Sequence, residues 1–103
     1  MKTITAPELK QLMTEDKVIL VDVRSPKEFR KRHLPNAVNI DFYDEDFEEN
    51  WKRLHQDRTC VLYCNHGEKS ELALTFLASI CDSPVYHLKG GIKAWKKCGF
   101  AVE

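Results

Sequence analysis

Short apolar runs rich in β-branched residues alternate along this chain with segments whose apolar residues fall at helical spacing. Thr5-Ala6-Pro7-Glu8 has the form of a capping box with proline in the first turn. It opens a short helix on which Leu9, Leu12 and Met13 share a face. Val18-Ile19-Leu20-Val21 reads as a buried strand. Ser25-Pro26-Lys27-Glu28 is a second capping box, starting a helix that runs to about Arg32, and Ala37-Val38-Asn39-Ile40 reads as another short strand. Cys60-Val61-Leu62-Tyr63 is the next buried strand. Beyond a polar loop, Leu72, Ala73, Phe76, Leu77 and Ile80 make one apolar stripe of a helix. Val85-Tyr86-His87-Leu88 is the last strand, followed by Gly90-Gly91 and a helix holding Ile92 and Trp95. Strands alternating with helices predict an α/β fold around a central, mainly parallel β-sheet. Chemistry in such sheets sits beyond the carboxyl ends of the strands, which points to the loops after Val21 and Tyr63.

Composition narrows the function classes. A chain of 103 residues without repeats, low-complexity tracts or linker-like segments reads as one domain spanning residues 1–103. Sixteen basic and sixteen acidic side chains cancel, which argues against a general nucleic-acid binder. No apolar run is long enough for a membrane span, and the N-terminus lacks the apolar stretch of a signal peptide, so a soluble cytoplasmic protein is expected. The acids are uneven: Asp41, Asp44, Glu45, Asp46, Glu48 and Glu49 crowd one stretch, with Phe42, Phe47 and Trp51 interspersed. A partly helical surface segment is expected there. Of the four cysteines, Cys60 lies inside a strand and reads as a small buried hydrophobe, and Cys81 and Cys98 are read the same way. Their spacings match no common zinc pattern, and no metal is expected.

Cys64 differs from the other three. It follows a strand directly and leads through Asn65-His66-Gly67-Glu68-Lys69-Ser70 into the apolar-striped helix. A cysteine at that junction faces a row of backbone N–H groups and the positive end of a helix dipole, both of which favour thiolate over thiol. Gly67 lets the loop curl around the sulfur. The same cradle suits an anion. A nucleophilic sulfur beside an anion site is what attack on an oxyanion-bearing substrate requires.

With these residues in view, the chain resembles the rhodanese-type sulfurtransferases. The segment from Cys64 to Ser70 is similar to the family's C-x-x-G-x-[R/K/S]-S active-site loop. Asp22-Val23-Arg24, Glu28-Phe29, His33-Leu34 and Ala37-Val38-Asn39-Ile40 resemble its D-x-R, E-[FY], H-[IL] and A-x-N-[IV] signature. Leu88 to Trp95 resembles its closing L-x-G-G-[IFL]-x-x-W. The three segments anchor the chain from about Thr3 to Phe100. The resemblance implies a sheet flanked by helices on both faces, with Cys64 as catalytic nucleophile and Asn65, His66, Gly67, Glu68, Lys69 and Ser70 as the substrate and persulfide loop. Asp22 and Arg24 are implied to brace that loop. It further implies a small anionic sulfur donor such as thiosulfate, a persulfide on Cys64, a thiol or protein acceptor, no cofactor, and a monomer.

Some positions depart from the pattern. Lys69 stands where many members place arginine, which keeps the charge and loses a bidentate grip. Arg32 and Asn36 stand where the family often has glycine; asparagine tolerates the left-handed region, and Arg32 is unexplained at this level. Glu28 reads first as a capping-box residue, Trp95 as core, and His33, His55 and His87 as structural or surface residues. Three other functions compete. A phosphatase would need an arginine six residues past the cysteine, where Ser70 stands. A non-catalytic module would usually carry another residue in place of Cys64. A carrier fed by a protein partner would use Cys64 identically.

Overall fold

The computed structural model describes residues 3–15, 18–54, 58–80 and 84–103. Its strands are β1 (Thr3–Ile4), β2 (Val18–Asp22), β3 (Val38–Asn39), β4 (Thr59–Tyr63) and β5 (Val85–Leu88). They alternate with α1 (Ala6–Leu12), α2 (Pro26–Lys31), α3 (Phe47–Leu54), α4 (Glu68–Ala78) and α5 (Gly91–Lys97). The strands form one sheet in the order β1-β5-β4-β2-β3, and every pairing is parallel. The short edge strand β1, which pairs Thr3 with His87 and Ile4 with Leu88, has no counterpart among the expected elements. Two residues are too few to display an alternating pattern, and only the neighbouring strand makes them a strand.

Successive side chains on a strand point to opposite faces, so β4 divides its residues between two cores. Cys60, Leu62 and Cys64 face the layer that holds Phe47 and Trp51 of α3 and Ala73, Leu74 and Leu77 of α4. Val61 and Tyr63 face the layer of Leu9 from α1 and Ile92 and Trp95 from α5. Helices on both faces are therefore the observed arrangement. Both expected capping boxes are present: the Thr5 and Ser25 hydroxyls accept from the amides of Glu8 and Glu28, whose carboxylates return to the cap residues.

The acidic stretch is a set of turns leading into α3, with Phe47 and Trp51 buried and Asp44, Glu45, Asp46, Glu48 and Glu49 exposed. The stripe expected on α4 holds at Ala73 and Leu77 and is corrected at Leu72, Phe76 and Ile80. Its buried row is Ser70, Ala73, Leu74 and Leu77, whereas Leu72, Phe76 and Ile80 are exposed. Apolar residues occur around more than one side of this helix, and periodicity alone does not choose between them. The face carrying Ser70 turns inward, where Ala73, Leu74 and Leu77 pack in one layer with Cys60, Leu62 and Cys64. Cys60 and Trp95 are buried as expected, but Cys98 is exposed at the C-terminal cap of α5. Cys81 and His55 lie outside the described residues. No helix among the described residues is long and apolar enough to cross a membrane.

Candidate active site

The site grows from the end of β4. Tyr63 is fully buried, and its hydroxyl accepts a hydrogen bond from the amide of Leu34 at 3.0 Å; burial pushes its phenol well above the ordinary range. The next residue, Cys64, is only 4% exposed. Its sulfur receives the backbone N–H of Gly67 at 3.1 Å and of Ser70 at 3.3 Å. The Ser70 hydroxyl lies 3.6 Å from the same sulfur. Donors converging on one atom from a loop and a helix N-terminus form a cradle suited to an anion. Gly67 sits at φ 108°, a conformation that side chains rarely adopt, and this curl aims its amide at the sulfur.

The loop is fastened from below by the closing motif. The amide of Ile92 donates to the Cys64 carbonyl at 2.8 Å, and that of Lys93 to the Asn65 carbonyl at 3.2 Å. Gly91, at φ 63°, lies so close that an added Cβ would meet the Cys64 carbonyl oxygen at 2.3 Å. The second glycine of the pair is thus a requirement of the loop's approach to α5.

Asp22 and Arg24 hold the side of the loop. Arg24 grips the fully buried Asp22 carboxylate, with Nη2 to Oδ2 at 2.7 Å and Nε to Oδ1 at 3.0 Å. Its Nη1 donates to Oδ1 of Asn65 at 3.0 Å. Burial opposes the guanidinium charge, and Asp22 more than offsets it, so Arg24 is held protonated above its ordinary value. Arg32 now has an explanation in its backbone: its carbonyl accepts from Arg24 Nη2, and its extended φ of −169° requires no glycine. Asn36 adopts φ 64°, as its residue type allows. Asn39, in the same signature, donates to the carbonyls of Asp22 and Arg24, both at 2.9 Å.

Glu28 does more than close its capping box. Its Oε2 accepts from Asn65 Nδ2 at 2.7 Å, and this bond above all holds its carboxyl below the usual range. Asn65 therefore bridges a cation and a carboxylate and is fixed in orientation by both. Lys69 places its ammonium 4.8 Å from the ring centroid of Tyr43, a cation–π contact. Both residues line a cavity of about 250 Å³ that also borders Cys64, Asn65, His66 and Leu72. Glu68 is exposed at its rim. His33 stacks on Phe29 at 4.0 Å, in keeping with a structural role.

The described residues thus bring together every expected loop position with Asp22 and Arg24. They add Tyr43, which motif reading passes over, and His87, which the sequence alone reads as a structural or surface residue. Tyr43 comes from the acidic stretch and forms a wall of the cavity. His87, on β5, is 6% exposed and lies 3.3 Å from Ser70 Oγ through its Nδ1. The period of two along β5 puts His87 on the same face as Val85, toward α4, and that signal was available in the sequence.

The model of the rhodanese-like domain matches residues 5–98. The chain belongs to the rhodanese-like family. It is 34% identical over 91 residues to the thiosulfate sulfurtransferase GlpE of Pseudomonas syringae pv. syringae, covering 87% of this chain and 83% of that protein. It is 40% identical over 96 residues to the probable adenylyltransferase/sulfurtransferase MoeZ of Mycobacterium tuberculosis, covering 92% of this chain. The chain spans only 24% of that mycobacterial protein's length, and 53% of an uncharacterized relative from Synechocystis. Among solved structures, a rhodanese-related protein of Thermoplasma volcanium superposes with a TM-score of 0.88 at 28% identity, covering 100% of this chain and 98% of that one. A rhodanese-like fold accounts for the parallel sheet with its cysteine loop at the carboxyl edge.

Proposed function

We propose that this protein is a sulfurtransferase that carries sulfane sulfur on Cys64. The observation that carries the proposal is the sulfur of Cys64, held by the amides of Gly67 and Ser70 and bordering a cavity edged by Lys69. A sulfurtransferase-type function is also supported by the relatives named GlpE and MoeZ.

In the first half-reaction the Cys64 thiolate attacks the outer sulfur of thiosulfate. A bond forms between the two sulfurs, the bond to the sulfonate sulfur breaks, and sulfite leaves with its electron pair. The product on the protein is a persulfide anion, and the total charge is unchanged. Good leaving-group stability and an attacking thiolate both favour this exchange. The amides that hold the thiolate are placed to hold the persulfide by charge-assisted hydrogen bonds, and the Lys69 ammonium attracts the anionic donor as a point charge. In the second half-reaction an acceptor thiolate, or cyanide, attacks the terminal sulfur, and Cys64 returns as thiolate. The steps need no metal or organic cofactor. Asp22, Arg24 and Glu28 touch no reacting atom in this scheme; they orient Asn65 and with it the loop.

The test is incubation with thiosulfate followed by intact mass and cyanide release. The wild type gains one sulfur atom and forms thiocyanate, and Cys64→Ser does neither. Equal loading and turnover by Cys64→Ser would remove the assignment. Loading by a protein persulfide but never by thiosulfate would make the chain a protein-fed carrier. The protein is expected to leave aryl phosphates intact, because Ser70 stands where phosphoryl gripping needs an arginine.

A further inference from the structure

A second cavity, which shares His66 and Glu68 with the first, is bordered by Thr3, Glu71, His87 and Lys89. His87 connects that cavity to the sulfur. Its Nδ1 is 3.3 Å from Ser70 Oγ, and Ser70 Oγ is 3.6 Å from Cys64 Sγ. The hydroxyl also donates to the Gly67 carbonyl at 3.2 Å. A serine has one proton to give. With that proton on the Gly67 carbonyl, the bond between Ser70 and His87 is assigned with Nδ1–H donating to Oγ, which leaves Nε2 as the position where the ring takes up a proton.

We propose that His87 is a positioning residue that acts through Ser70 on the ionisation of Cys64, so that thiol and imidazole titrate as a coupled pair. When Cys64 is a thiol, its S–H points to Ser70 Oγ and the hydroxyl bonds to Gly67. When the sulfur is negative, the hydroxyl turns from the Gly67 carbonyl to the sulfur, and the Nδ1–H of His87 continues to support the oxygen. Protonation of Nε2 strengthens that support and adds a positive charge on the sulfur's side of the sheet. Linkage makes the effect reciprocal: a negative sulfur raises the affinity of His87 for its proton.

The surroundings of the ring set the pH at which this happens. Burial holds His87 below its ordinary value, and the carboxylate of Glu71 on α4 opposes that shift. Glu68 from α4, His66 from the loop and Lys89 from the end of β5 are the other titratable groups around the cavity. The flanking strands contribute Leu62 from β4 and Thr3 from β1 at the paired positions, neither of which titrates. Burial is the larger of the two effects and favours the neutral ring, and a negative sulfur beyond Ser70 would oppose that tendency.

The inference rests on Cys64 being the working thiol, but its test involves no sulfur transfer. The rate of Cys64 alkylation by iodoacetamide, followed by mass spectrometry of the Cys64 peptide across pH, gives the ionisation midpoint of the thiol. His87→Leu raises that midpoint by about one unit, roughly tenfold less thiolate at neutral pH. His87→Asn, which returns an N–H donor near the Nδ1 position without a titrating group, recovers part of the shift. A His87 with only a structural role would alter stability and leave the midpoint where it is, and that result overturns the proposal. Should His87→Leu fail to fold, the ring signals of His87 followed by NMR in the wild type and in Cys64→Ser decide the question. Loss of the proton at lower pH in Cys64→Ser supports the coupling, and identical titration overturns it. A wild type with the coupling that never loads sulfur would sink the proposed function and leave this inference standing.

Discussion

At the scale of single residues, Arg24 ties Asn65 of the loop to Asp22 and to the Arg32 carbonyl. Asp22 is fully buried, and its carboxylate has the Arg24 guanidinium as partner on both oxygens. Removing one member of a buried pair strands the other charge away from water. Arg24→Leu is therefore expected to cost about 3–5 kcal/mol of folding stability, measured by urea denaturation. Arg24→Lys should fall between wild type and leucine, since one ammonium does not reproduce a fork that meets Asp22, Asn65 and the Arg32 carbonyl together. Equal stability of all three proteins would contradict this account. The pair itself was legible in the sequence, because Asp22 and Arg24 stand two residues apart at a strand end. Asn65 as the third partner was not, since it lies 41 residues away and only the parallel pairing of β2 with β4 brings it near.

Elements decide how the loop is held. The Gly90-Gly91 pair was visible as a motif, yet its purpose depends on where α5 starts relative to the cysteine loop. Gly91→Ala puts a methyl group within 2.5 Å of the Cys64 and Asn65 carbonyl oxygens at a positive φ. The loop must shift, and the strained backbone alone costs on the order of 1–3 kcal/mol. The variant should lose stability in denaturation and lose thiosulfate loading as well, because the Ile92 and Lys93 amides no longer meet the loop carbonyls. Normal loading in a destabilised Gly91→Ala protein would separate the two effects and refute the fastening role. The rotation of α4 has the same lesson. The expected stripe joined Leu72, Phe76 and Ile80 to Ala73 and Leu77, and the fold buries only the last two, together with Ser70 and Leu74, in the layer shared with β4. Of the exposed set, Leu72 borders the site cavity, while the Phe76 ring lies tilted against Phe47 with centroids 6.2 Å apart.

Considered as a whole molecule, the protein's stability should respond to pH through the buried imidazole before any carboxylate matters. His87 titrates below its ordinary 6.5 in the folded protein, mainly because burial disfavours the charged ring. The unfolded chain thus binds more protons in the window just under pH 6.5, and stability rises with pH there. The contribution of neutral His87 is fully present above pH 6.5 and is lost as the pH falls through the lower folded value. Glu28, whose bond to Asn65 holds it below 4.5, adds stability that is lost only at more acid pH. Urea midpoints should decline as the pH drops below about 6.5 in the wild type and stay flatter in His87→Asn. A decline of the same size in both proteins would assign the effect elsewhere. Charge is unevenly distributed at this scale too, since the acids of residues 41–49 are set before the strand that leads into Cys64. Tyr43, from within that stretch, is what turns an acidic surface segment into part of the site.

The sequence by itself determined the alternation of strands and helices, both capping boxes, the cysteine at a strand-to-helix junction and the family. Each of these is encoded within a few neighbouring residues, through spacing, hydrogen-bonding groups or a local backbone requirement. Only the tertiary structure decided which row of α4 is buried, why Gly91 and the Arg32 carbonyl matter, and that His87 reaches the sulfur through Ser70. Those facts depend on distances between segments far apart in the chain, and local pattern carries no record of them until the sheet is assembled.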